Sequence, residues 1–95
     1  MKISIELSLY PLAEEQYKSE IWAFIKRLRN VDGLTVVTNG MSTQVFGDYD
    51  LAVSKVMSEI KQVHSNIDQN TGAEGAAIFV CKFINGDRSQ PEAES

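Results

Sequence analysis

The chain has 95 residues, 43% of them hydrophobic and 23% charged, with a net charge of −4 from nine Lys and Arg against thirteen Asp and Glu. That length is one domain with one modest core, and the composition is that of a soluble globular protein, which argues against disorder and against a membrane protein. The single cysteine, Cys81, excludes an internal disulfide framework and a Cys-based zinc site. The acidic balance argues against nucleic acid as a partner, because such binding needs a basic footprint to displace counterions.

The longest apolar run, Ala76 to Cys81, is six residues, far below the ~20 needed to span a bilayer. No basic segment followed by an apolar stretch opens the chain, so the expected compartment is the cytoplasm, where one free thiol stays reduced.

Lys2 to Tyr10 alternates strictly: Ile3, Ile5, Leu7 and Leu9 point one way, and Lys2, Ser4, Glu6, Ser8 and Tyr10 the other. Period two over this length predicts a strand, which Pro11 ends because it has no N–H for the ladder. Glu14 and Glu15 suit a first helical turn, and Tyr17, Ile21, Phe24, Ile25 and Leu28 recur at helical spacing, predicting a helix over about 13–30. The cluster of Lys26, Arg27 and Arg29 near its end suits the helix dipole. Trp22 stands next to the stripe and reads as a packing or interface residue.

Leu34 to Thr38 is β-branched and reads as a second strand. Asn39-Gly40 predicts a type I′ hairpin turn, and Met41 to Phe46 the returning strand, broken by Gly47. Asp48 or Asp50 can cap a second helix over about 49–67, whose stripe is Val53, Val56, Met57, Ile60, Val63, His64 and Ile67. His64, the one histidine, is expected in or beside the core, with no Cys or His neighbour to make a metal site. Ser65 to Gly75 reads as a loop and Ala76 to Ile84 as the last strand. Asn85-Gly86 closes it, which leaves a domain over 1–85 and a disordered acidic tail over 86–95.

The order β-α-β-β-α-β, with right-handed crossovers, puts both helices on one face of an antiparallel sheet. This is the α+β, ferredoxin-like sandwich with strand order 4-1-3-2.

The other face carries the functional expectation. Ser4, Glu6, Ser8 and Tyr10 lie on the open side of a central strand. The last strand is apolar on both sides, with Ala77, Phe79, Cys81 and Phe83 on one and Ala76, Ile78, Val80 and Ile84 on the other. A monomer would expose one set as a patch, which marks an interface. The expected partner is therefore a second copy, in a homodimer or tetramer. Under such cover Glu6 must be paired or hydrogen-bonded. Ser8, Tyr10, Ser42 and Gln44 would add hydroxyl and amide groups to a pocket walled by Phe46, the pattern of a small-molecule site.

Catalytic motifs are missing. No nucleophile elbow accompanies the serines. Gly72-Ala-Glu-Gly75 lacks the Gly-Lys-Ser/Thr end of a phosphate loop.

Two stretches carry a family resemblance. Ser8-Leu-Tyr-Pro-Leu12 with Tyr17, and Asn39-Gly-Met-Ser-Thr-Gln-Val-Phe-Gly-Asp-Tyr-Asp50, resemble the YkoF-like thiamine/hydroxymethylpyrimidine-binding family and its short single-domain relatives, over residues 1–84. The resemblance implies a ferredoxin-like domain that binds the pyrimidine part of thiamine or a precursor without chemistry or cofactor, and that pairs through its sheets. It implies Asn39, Met41, Ser42 and Thr43 on the hairpin, and Ser8 and Tyr10 on the first strand, as ligand-binding residues. Glu6 joins them from the strand pattern, since a carboxylate can accept from an aminopyrimidine edge when the ring nitrogen is protonated. Ala13 departs from the glycine of many relatives.

Two alternatives stand beside this reading. One is a regulatory or structural oligomeric module that binds a protein or another small ligand. The other is an acylphosphatase-like enzyme of the same fold, which needs a phosphate-holding arginine after the first strand. Tyr10-Pro-Leu-Ala-Glu-Glu15 has none.

Overall fold

The computed structural model describes residues 1–11, 17–71 and 77–91. The elements are β1 (Lys2–Pro11), α1 (Tyr17–Arg29), β2 (Thr35–Thr38), β3 (Thr43–Asp48), α2 (Tyr49–Thr71) and β4 (Ala77–Asn85). The strands form one antiparallel sheet in the order β2-β3-β1-β4, with β1 and β3 central. This is the ferredoxin-like arrangement expected from the sequence.

Period two on β1 and helical spacing on α1 and α2 meet in one core. Ile3, Ile5 and Leu7 of β1 and Val45 of β3 face Phe24, Ile25 and Leu28 of α1 and Ala52, Val56, Ile60, Val63 and Ile67 of α2. Burying each large side chain here contributes about 1.5–3 kcal/mol. Phe24 and Phe79 meet with ring centroids 5.6 Å apart, which fastens α1 to β4. Arg27 of α1 and Glu59 of α2 form an ion pair between the helices.

Several local expectations are corrected. Gly47 does not break β3 but pairs with Ile3 inside it. A Cβ there would lie 2.8 Å from the Gly33 carbonyl oxygen and 2.7 Å from Leu34 Cδ2, so glycine answers a close backbone approach. The Asn39–Ser42 turn is not type I′, because no φ is positive there among the described residues. The Asn39 side chain does the turning: its Oδ1 accepts from the backbone N–H groups of Met41 (2.8 Å) and Ser42 (3.1 Å).

Helix α2 runs on through Thr71, so Ser65 to Thr71 is helical where a loop was expected. Ile67 continues the buried stripe, and Gln62–Asn66 and Ser65–Gln69 side-chain hydrogen bonds bridge successive turns. His64 stays at the surface edge of the core, with Nε2 3.2 Å from the Ala77 carbonyl and its ring edge-on to Phe79. The expected first turn of α1 at 13–16, Ala13 itself, the Gly72–Gly75 stretch, Ala76 and the last part of the tail lie outside the described residues.

The near end of the open face is closed. After β4 the chain turns at Gly86, whose φ of 101° favours glycine. Gly86 N–H then donates to the Lys2 carbonyl at 2.8 Å. The Ser4 hydroxyl donates to the Gly86 carbonyl and accepts from the Arg88 N–H, both at 2.8 Å. Ser4 is only 4% exposed as a result. Asp87 is held below the usual carboxylate range by hydrogen bonding from Ser89.

Candidate functional site

Side chains directly opposite in an antiparallel pair point to the same face. The register therefore writes out the open face: Ser4 lies between Phe46 and Ile84, Glu6 between Gln44 and Lys82, Ser8 beside Val80 and Tyr10 beside Ile78. Thr35 flanks Phe46, and Val37 flanks Gln44.

Two hollows share eight of the nine residues expected at the site. The larger, about 450 Å³, opens at the far end of β1 under the β2–β3 hairpin and against α1. Ser8, Asn39, Met41, Ser42 and Thr43 line it, and Leu7, Leu9, Phe24, Ile25 and Phe79 supply apolar wall. Its volume and its few polar groups on an apolar lining match a small-molecule site. The smaller, about 250 Å³, lies on the open face and holds Glu6, Gln44 and Phe46 with Ser4, Ile84 and Arg88. Tyr10 lines neither of these hollows and is 56% exposed.

Phe46 therefore walls the groove, not the cavity that holds Ser42. Among the residues that the cavity adds to those expected are Trp22 and Thr38. Trp22 is half exposed, as its position beside the buried stripe foreshadows. Thr38 is the last residue of β2, and its Oγ1 lies 2.8 Å from Thr43 Oγ1.

One contact bridges the two hollows. The Ser42 hydroxyl donates to Glu6 Oε2 at 3.0 Å, while Lys82 Nζ stands 3.5 Å from Glu6 Oε1. Glu6 is thus paired, and its partners include a cavity-lining residue. The cavity lining contains no acid, base or thiol among the described residues. Its chemistry is that of hydroxyls, amides, one indole, one thioether and hydrocarbon. Burial pushes the Cys81 thiol up, and that residue packs against the core on the helix side of β4. Among the described residues no group of His, Cys, Asp or Glu is placed to hold a metal ion, and no helix is long and apolar enough to cross a membrane.

The fold defines a small ferredoxin-like α+β domain, and solved structures share it. A hypothetical protein from Methanocaldococcus jannascii superimposes with a TM-score of 0.63 at 22% identity, over 94% of this chain and 84% of that one. A protein from Streptococcus pneumoniae does so with a TM-score of 0.65 at 22% identity, over 93% of this chain and 90% of that one. A "putative thiamine biosynthesis/salvage protein" from Thermotoga maritima gives 0.58 at 14% identity, over 87% and 82%. No family model matches the sequence, and no curated protein matches it.

Proposed function

We propose that this chain is a non-catalytic binder of thiamine or of its hydroxymethylpyrimidine moiety, acting as a homo-oligomer that covers the open sheet face. The observation that carries the reading is the end cavity of about 450 Å³, with Ser8, Asn39, Ser42 and Thr43 set into an apolar and aromatic wall. A flat heteroaromatic ring suits such a wall, and a few directed hydrogen bonds would orient it. The hairpin motif from Asn39 to Asp50 supports the same ligand class, as does the likeness in fold to a protein whose description mentions thiamine.

Self-association is supported by the open face. Tyr10, Val37, Ile78, Val80 and Ile84 are each 42–56% exposed there. An apolar strip of this kind marks an interface.

The test is calorimetric titration with thiamine and with hydroxymethylpyrimidine, on protein whose mass in solution is measured by sedimentation. Saturable binding of both, with neither consumed, is expected. At ~100-fold excess over Kd, binding raises stability by about 2.7 kcal/mol if only the folded state binds. Binding of neither would remove the ligand assignment. Ile84→Lys should shift sedimentation towards a smaller species with the circular dichroism unchanged. A single monomeric species in the wild type would remove the oligomer.

A further inference from the structure

We propose, resting on the binding function above, that Glu6 is a positioning residue that sets the hydrogen-bond polarity of the cavity. It holds Ser42 as an acceptor towards the ligand, so that the cavity selects a heteroaromatic ring with an amino group beside a ring nitrogen.

A serine hydroxyl has one hydrogen and two lone pairs, and normally rotates to suit its neighbour. An ionised carboxylate can only accept. The 3.0 Å contact from Ser42 to Glu6 Oε2 therefore uses the one hydrogen that Ser42 has. What Ser42 offers to anything in the cavity it lines is a lone pair.

Asn39 has the opposite polarity. Two backbone N–H groups, those of Met41 and Ser42, both point at one end of its amide, which identifies that end as oxygen. The Nδ2 end is left to donate, and it has no hydrogen-bond partner among the described residues. One acceptor and one donor thus stand three residues apart on the cavity's hairpin wall. An amino hydrogen beside a ring nitrogen is the complementary edge. A ring carbonyl in place of the amino group would set oxygen lone pairs against the lone pairs of Ser42.

Lys82 makes the test sharp. It stands beside Oε1 while Ser42 stands beside Oε2. In Glu6→Gln the amide oxygen is drawn to the Lys82 ammonium, which turns the amide nitrogen towards Ser42. Ser42 must then accept from the glutamine, and its own hydrogen is released to donate into the cavity.

The experiment measures Kd by calorimetry for hydroxymethylpyrimidine and for the analogue with a ring carbonyl in place of the amino group. Wild type should prefer the amino compound by about tenfold or more, the scale of one mismatched hydrogen bond. Glu6→Gln should abolish or invert that preference, whereas a merely structural role would weaken both compounds by the same factor. Ser42→Ala should shrink the preference to what Asn39 alone supplies, and Glu6→Gln added to Ser42→Ala should change it no further. A folded Glu6→Gln protein that keeps the wild-type ratio overturns the proposal. Should that variant fail to fold, an undiminished amino preference in Ser42→Ala overturns it instead. Equal wild-type affinity for both compounds defeats the polarity assignment and leaves the binding function standing. Binding of neither compound defeats the binding function, and the polarity assignment with it.

Discussion

The end cavity and the open-face groove draw on the same strand, yet they are closed in different ways. The cavity takes Ser8 from β1, Trp22 from α1, Asn39 to Thr43 from the hairpin and Phe79 from β4, so four segments distant in sequence wall it. The groove takes Ser4 and Glu6 from β1 with their cross-strand neighbours Phe46, Gln44 and Ile84, so pairing register alone defines most of it. The first is shaped by packing between distant segments, the second by strand pairing. Ser42 and Glu6 join them through one hydrogen bond. Alternation along β1 thus sorts side chains to faces. Only the elements arriving from elsewhere decide which of them share a volume.

The largest expected effect tests the support beneath the cavity. Leu28 is fully buried on α1, the helix that walls the cavity but contributes Leu28 only to the core. Leu28→Ala should lose about 2–5 kcal/mol in urea denaturation. A loss under about 1 kcal/mol would mean that the site relaxes and that α1 is not rigidly seated.

Next comes the closed end of the groove. Ser4→Ala leaves the Gly86 carbonyl and the Arg88 N–H without the hydroxyl that now serves both. It should cost about 1–3 kcal/mol, with faster hydrogen exchange at the Arg88 amide. Unchanged exchange there would show that the turn after β4 holds without Ser4.

A paired substitution separates the hollows directly. Ser42→Ala should weaken hydroxymethylpyrimidine binding about tenfold, and Gln44→Ala should leave it within about twofold, both read by calorimetry. The reverse order would move the site from the cavity to the groove.

The smallest effect concerns pH. Burial raises the Cys81 thiol, so folding favours its neutral form. That contribution is fully present below the ordinary thiol range and is lost as pH rises through the raised value in the folded state. The urea midpoint should therefore fall slightly more steeply on the alkaline side in wild type than in Cys81→Ala. Identical alkaline limbs would show that the thiol is effectively solvated.

Much of this protein was legible in its sequence, because periodicity is a local property. Ile3, Ile5 and Leu7 alternate with polar residues, and Val56, Ile60, Val63 and Ile67 recur at helical spacing. Those patterns set the element types, the core face and, with the handedness of crossovers, the strand order. Gly47 and the Asn39 turn were misread for one reason. Glycine and Asn-Gly announce a special backbone, but whether it is a break, a bulge or a close approach depends on what packs beside it. Gly33 and Leu34 decide that at Gly47, and the Asn39 side chain decides it at the hairpin.

The candidate site divides in the same way. Its residue types and the hairpin that carries Asn39, Ser42 and Thr43 could be read from the chain, since a tight turn between two strands brings them together locally. The separation of Phe46 and Gln44 from Ser42, the entry of Trp22, and the bond from Ser42 to Glu6 could not. Thirty-six positions separate those last two residues, and only the antiparallel pairing of β1 with β3 closes that distance. The sequence alone determined which groups this protein has to offer a ligand. The tertiary structure decided which of them meet, because enclosure and hydrogen-bond polarity belong to neighbours in space.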